Sequence, residues 1–418
     1  MKVLVLNSGS SSQKSSLYQF GDTLPDLPSR PLSEGKIEWR EDSASLLTIA
    51  SSGSRRHEEL RAGSRAEAVG HLVRALWQPD GCISSPSEIA VVGHRVVHGG
   101  PKYDEPVLVT PAVKQAISQA GAFAPLHNRA ELEGMDVVER LLGPVPQVAV
   151  FDTGFHRNLP AAAAVYPGPY EWFESGIHRY GFHGINHQYC AERAAQLLGR
   201  DLRSLRLVSC HLGNGCSLAA IRNGHSVDTT MGFTPLEGLM MGTRSGSIDP
   251  GILTYLVREG KLKPAEIDDV LNRRSGLLGI SGISGDMRDV LAAMKQGHAR
   301  ARLAFEIYLH RLQSAIGGMV ASLAGMDALI FTGGVGENSL EVREHACGDL
   351  GFLGLKLDMK ANAAPGLDQD IAAPGSTVRV LVIRAQEDWA IARECWKLSR
   401  AVESEPATPP GEARRAVR

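Results

Sequence analysis

The chain has 418 residues, too many for one hydrophobic core, so at least two domains are expected. Hydrophobic residues make up 43% and charged residues 22%, and the net charge of −2 offers no basic field to nucleic acid or an anionic membrane. Six scattered cysteines with no CxxC pair argue against a disulfide framework and a cysteine-based zinc site. Residues 2–6 (KVLVL) read as a buried strand, too short an apolar run for a signal peptide, and no stretch is long enough to span a bilayer. A cytoplasmic, reducing setting is the simplest expectation.

A polar turn follows, and residues 16–20 read as a second strand. Residues 21–64 are rich in Pro, Ser and charge, with 38–40 and 46–50 as edge strands. Residues 66–77 carry helical periodicity, 89–92 a short strand, 111–119 and 129–142 helices, and 147–151 another buried strand. This alternation predicts an α/β fold. The pattern of strand, Gly/Ser/Asn turn and strand at residue 3 returns at residue 207, with 206–210, a tight turn at 212–216, and 217–221. Two pseudo-equivalent halves offering turns to one ligand would account for it. A helix over 299–324, a strand at 328–331 and a last helix over 387–399 complete the series. The charged, Pro-rich tail 403–418 is expected to be disordered.

Several segments carry chemistry. NSGSSSQKSS, from Asn7, follows a buried strand, and its backbone suits phosphate as well as it suits a plain hairpin turn. It is not a Walker A loop, because Gln13 replaces the required glycine. The Gly/Asn turn of HLGNG tips the balance toward phosphate. In GHRVVHGG, Arg95 lies in an apolar strand and must find an anion, either a ligand or a structural salt-bridge partner. Asp152 follows a buried strand at its C-terminal end, where α/β sheets bind ligands, although a turn cap is the plainer use. His183 and His187 have zinc-like spacing but no third ligand, and His183 is better suited to donate to a phosphoryl group. Arg244 sits in a Gly-rich loop, MGTRSGSIDPG, fit to bring charge onto a transition state. SGDMRD and FTGGVGEN read as nucleotide contacts.

These segments together resemble the acetate kinase family. GHRVVHGG, APLHN, FDTGFH, YGFHG, HLGNG, MGTRSGSIDPG, SGDMR and GGVGENS occur in the family's order over nearly the whole chain. The resemblance implies an α/β fold of two domains with duplicated ribonuclease H-like, actin-like ATPase topology and an active-site cleft between them. It implies boundaries at 1–151, completed by the helix at 387–400, and 152–386. It implies transfer of the ATP γ-phosphoryl group to acetate, with Mg²⁺ (Mn²⁺ as the alternative), and a homodimer, with no nucleic-acid or membrane partner. By motif position, Asn7 and Glu387 resemble the metal-associated residues, with Asp388 competing because the family's usual Pro-Thr pair is missing before Glu387. Lys14, His211, Leu212, Gly213, Asn214, Gly215, Asp286, Met287, Arg288, Gly334, Val335, Gly336, Glu337 and Asn338 resemble nucleotide contacts. Arg95 resembles the substrate-carboxylate arginine, with Val97, Leu126, Phe182 and Pro235 around the methyl group. Asp152, His183 and Arg244 resemble the catalytic residues. A propionate kinase, a sugar kinase and a non-catalytic actin-like ATP switch are the competing readings.

Overall fold

The computed structural model describes residues 1–9, 12–39, 44–51, 54–78, 81–121, 125–366 and 368–404. Strand β1 (Lys2–Ser8) lies inside an eight-stranded sheet. On one side an antiparallel series leads through β2 (Ser12–Gln19), β3 (Ser33–Trp39) and β4 (Ala44–Ser51) to β5 (Ser54–Arg61). On the other, β6 (Ile89–Val96) runs parallel to β1. The short β7 (Val107–Leu108) pairs antiparallel with β8 (Gln147–Phe151), which runs parallel to β6. The second sheet repeats the plan around β9 (Arg206–Leu212). The antiparallel β10 (Cys216–Arg222) and β11 (His225–Thr229) run off one side. The parallel β12 (Ala328–Thr332) follows on the other. β13 (Gln369–Asp370) then pairs with β14 (Arg379–Val382), which is parallel to β12. In both sheets the first strand is central, with a meander to one side and two parallel strands to the other. This is the duplicated ribonuclease H-like topology of the actin-like fold.

Period-two alternation along the strands builds the layers. In β1, Val3 and Val5 face one core while Leu4 and Leu6 face another. In β12, Ala328 and Ile330 join the same core as Val3 and Val5, and Leu329 and Phe331 turn away from it. Each sheet therefore gives one face to a shared middle layer. That layer holds Ile185, Tyr189 and Ala191 of the Gly184–Leu198 helix and Trp389, Ile391 and Cys395 of the Glu387–Ser404 helix. The outer face of the first sheet is covered by the Arg65–Arg74 and Pro125–Leu142 helices, through Val69, Val73, Val137 and Val138. The outer face of the second is covered by the Ala299–Leu323 helix through Phe305, Leu312 and Ile316.

The differences from the sequence reading have local causes. β2 begins at Ser12, not 16, because register with β1 draws its polar residues into the ladder. β3 occupies Ser33–Trp39 where a strand over 38–40 was expected; Arg40 lies outside the described residues. β5 was not anticipated, since SRRHEELR shows only Leu60 as a core residue, packed with Ile37, Ile49 and Leu72. The last helix continues to Ser404, so positions 403 and 404 are helical rather than disordered. The rest of the expected tail lies outside the described residues.

Candidate active site

The C-terminal ends of the central strands of both sheets open on one cavity of about 850 Å³. From the first sheet come Asn7, Lys14 and Arg95, and from the second His211 and Asn214. Gly334 and Glu337 of the Gly333–Asn338 helix and Glu387 and Asp388 of the last helix complete the wall. Asn7 Nδ2 donates to Asp388 Oδ1 at 2.8 Å and to Glu387 Oε2 at 3.2 Å. Ser16 Oγ donates to the other Asp388 oxygen at 2.7 Å. Asp388 thus has both oxygens engaged, and Glu387 is the more available carboxylate. Burial pushes the Glu387 carboxyl up, but Arg95, His211 and Lys14 outweigh it and hold it below the usual range. Among the described residues no group of three or more His, Cys, Asp and Glu forms a metal cage. Two carboxylates beside an amide are the kind of partial oxygen set that Mg²⁺ uses together with substrate phosphates and water.

A second, smaller cavity of about 150 Å³ adjoins the first, sharing Gly9, Arg95, His183 and Asn214. Arg95 projects from β6, half-buried between buried neighbours His94 and Val96 in the strand. Its Nη2 and Nε donate to the two oxygens of Asp152 at 2.6 and 3.2 Å, and its Nη1 donates to the Ser8 carbonyl at 3.2 Å. Burial opposes the Arg95 charge, but Asp152 and Glu387 overcome it and hold the guanidinium above its ordinary pKa. Burial pushes the Asp152 carboxyl up while Arg95 pulls it down, and the bidentate contact makes the pair ionic. Of the two expectations for Arg95, the salt-bridge partner is present as Asp152, and the same guanidinium lines the small chamber.

His183 caps the Gly184–Leu198 helix in a left-handed conformation, φ 57°, that few non-glycine residues adopt. Its N–H donates to Asp152 at 3.3 Å, its Nδ1 pairs with Ser217 Oγ at 2.9 Å, and its ring stacks on His211 at 4.1 Å between centroids. Burial, then His211 and Arg95, push its pKa well below the usual histidine value, so it is neutral. Arg244 Nη1 donates to the Pro235 carbonyl at 3.0 Å. A Cβ added at Gly215 would stand 3.4 Å from Arg244 Nη1 and 3.5 Å from His183 Nε2, so glycine there lets both side chains close on the chamber. Val97, Phe182 and Pro235 form its apolar wall. The side chain of Leu126 lies outside the described residues.

The nucleotide candidates divide. Lys14, His211, Asn214, Gly334 and Glu337 line the large cavity. Gly213 N–H donates to the Gly215 carbonyl at 3.0 Å and closes the turn, while Leu212 and Met287 point into the core. Gly336 is buried, Val335 packs on the core, and Asn338 Nδ2 donates to the Gly334 carbonyl at 2.8 Å. Asp286 caps the helix Met287–Lys295 and pairs with Arg288, and neither lines the large cavity. Sequence reasoning missed Glu34, Lys36 and Glu38, which alternate on β3 and line the cavity from the first sheet. Register sets Asn7 opposite Lys14 and Lys14 opposite Lys36, and the spacing of the three β3 charges was the available signal.

Residues 2–393 match the model of the Acetokinase family. The chain belongs to that family. A Cyanothece sp. protein named acetate kinase is 58% identical over 401 residues, covering 95% of this chain and 98% of its own. The crystal structure of Porphyromonas gingivalis acetate kinase superimposes with a TM-score of 0.86 at 40% identity, covering 95% of this chain and 99% of that one. A propionate kinase from Francisella tularensis gives the same TM-score of 0.86 at 36% identity, again over 95% and 99%.

Proposed function

We propose that this acetokinase transfers the γ-phosphoryl group of ATP reversibly to acetate, giving acetyl phosphate and ADP. The observation that carries this reading is the small chamber, where Arg95 and Arg244 meet an apolar wall of Val97, Phe182 and Pro235 beside a much larger cavity. A short carboxylate matches the first and a nucleoside triphosphate the second. ATP lies along Lys14, His211–Gly215 and Gly334–Asn338, with 286–288 beyond. Support for the last segment is Gly242, where an added Cβ would fall 2.2 Å from Asn214 Oδ1 and 2.8 Å from the Gly285 carbonyl. That glycine packs the chain just before the Met287–Lys295 helix against the HLGNG turn.

Acetate is already ionised at neutral pH and needs no general base. Its oxygen attacks the γ-phosphorus in line, and charge spreads over the equatorial oxygens. Arg244 and Arg95 neutralise that charge. His183, being neutral, donates an N–H rather than adding a cation. Asp152 holds Arg95 in a fixed orientation through two contacts. Asn7 and Glu387 are the residues that would hold Mg²⁺, or Mn²⁺ in its place, and such an ion would supply neutralisation of phosphate charge. The domains divide at 151/152 and 386/387, and closure about the shared middle layer excludes water. The exposed Tyr170, Trp172, Ile248, Ile252 and Tyr255 support a homodimer. Six free cysteines support a cytoplasmic setting. Among the described residues no helix is long and apolar enough to cross a membrane.

A second reading, propionate as acceptor, follows from the equal structural likeness to a propionate kinase. One methylene is worth only about 1–3 kcal/mol in such a pocket. The test is a hydroxylamine trap for acyl phosphate with acetate, propionate and butyrate under Mg-ATP. Acetate is expected to give the highest kcat/KM, and no acyl hydroxamate from any acid would overturn the assignment.

A further inference from the structure

Behind the small chamber lies a carboxyl group that the mechanism above does not use. Glu131, on the Pro125–Leu142 helix, is 1% exposed. Its Oε1 accepts the backbone N–H of Val97, whose side chain walls the chamber, at 3.0 Å. Its Oε2 is buried and has no hydrogen-bond partner among the described residues. Asn128, three residues earlier, repeats the pattern. Its Nδ2 donates to the carbonyls of His98 and Ile117, while its Oδ1 is buried with no donor among the described residues. Residues three apart share a helix face. A proton on Glu131 turns an orphan acceptor into a donor on a helix face where a second buried acceptor also lacks one.

We propose that Glu131 is a positioning residue kept in its protonated form, and that its neutrality lets the Arg95 chamber accept an anionic acyl substrate. The inference rests on the carboxylate reading of that chamber. The charged groups lining the chamber are Arg95 from β6, Asp152 after β8 and Arg244 across it, with Glu387 of the last helix acting on Arg95 from the adjoining cavity. Two guanidinium groups face one carboxylate, an excess of positive charge that suits an anion. An ionised Glu131 would cancel that excess and weaken the hold on a negatively charged substrate. On its own helix, Arg129 and Glu133 pair with each other at the surface. His98, after β6, is brought down to about 4 by burial and so adds no positive charge at neutral pH. Burial, opposed by Arg95 and by the Val97 N–H, pushes the Glu131 carboxyl up to about 8. The acid is therefore neutral at neutral pH and ionises on the alkaline side.

The test is the KM for acetate against pH, with the KM for ATP as control. In the wild-type enzyme the acetate KM is expected to rise roughly tenfold from about pH 7 to about pH 9, as one blocking ionisation with this midpoint requires. Glu131→Gln, which keeps the shape and cannot ionise, is expected to flatten that rise. A purely structural role would shift both KM values at every pH and leave the slope intact. Infrared difference spectra over the same range are expected to show loss of a protonated carboxyl C=O band in wild type and no such band in Glu131→Gln. Failure to form any acyl hydroxamate at about pH 7 would overturn the proposed function. Normal product formation with an unchanged alkaline rise in Glu131→Gln, or no such band in wild type, would overturn this inference alone.

Discussion

The two sheets share a strand order but equip the cleft differently. The first supplies side chains: Asn7, Lys14, Lys36 and Arg95 all face the large cavity. The second supplies a shaped backbone: the closed turn at Gly213–Gly215 and the Gly333 corner. A duplicated frame can thus divide the handling of one ligand, with one half presenting mainly charge and the other mainly fitted main chain.

The sharpest way to break this division is at its two arginines, which face one chamber from opposite halves. Arg244→Ala is expected to lower kcat by about 10³-fold or more, as for other arginines aimed at a phosphoryl transition state. Arg95→Ala should lose comparable activity and also stability, since it leaves Asp152 buried without its partner, at about 3–5 kcal/mol. Arg244 makes no ion pair among the described residues, so its removal should leave the urea midpoint close to wild type. Acyl hydroxamate turnover and urea unfolding on both variants decide the matter. Equal stability of the two would mean that Arg95 is not the structural charge of its half.

The next contrast is in pH. Buried and half-buried histidines lie in the first sheet (His94), beside it (His98), in the second sheet (His211), and around the start of the Gly184–Leu198 helix (His156, His183, His187). Burial is the leading cause in each case, and it brings His94, His98 and His156 to about 4. The unfolded chain takes up protons on these rings near the ordinary value of about 6.5, while the native state does not. Stability is therefore full above about 6.5 and is lost as pH falls toward 4, by at most about 1.4 kcal/mol per pH unit for each histidine. Urea midpoints at about pH 7.5 and pH 5 should differ accordingly. The kcat profile should show no break near 6.5, because His183 is already neutral there.

A smaller effect separates the glycines of the two halves. Gly333 has φ +78°, and an added Cβ would lie 2.8 Å from the Leu212 carbonyl. Gly333→Ala should cost about 1–2 kcal/mol for the left-handed backbone and raise the KM for ATP. At Gly9 no positive φ occurs and the nearest atom would be 3.3 Å away, so Gly9→Ala should cost visibly less. Thermal midpoints compare them directly.

Much of the frame was legible because apolar runs such as 147–151 admit one interpretation, and β8 has those bounds. β5 was not, since its pairing with β4 comes from the sheet rather than from its own charged letters. In the site, Arg95 stood out as a lone charge in an apolar strand. Its bond to Asp152 could not be seen, because it depends on the parallel register that sets Val96 beside Phe151. Glu131 was invisible for the opposite reason. In RAELEGMDVVER it looks like one more solvated helical charge, and only the packing of that helix on β6 buries it.

The smallest expected effect bears on how far the backbone-fitted half extends. The segment 286–288 resembles a nucleotide loop by motif, yet Arg288 is mostly exposed and its charge is engaged with Asp286. A side chain so solvated, and already paired, adds little to binding through its charge alone. If the segment closes over the far end of ATP, Arg288→Ala should raise the KM for ATP by roughly twofold and leave kcat and the acetate KM untouched. An effect on kcat would place Arg288 near the transferring phosphoryl group, against its exposure. No change in the ATP KM would confine the nucleotide to the HLGNG turn and the Gly333–Asn338 helix, where backbone rather than charge makes the fit.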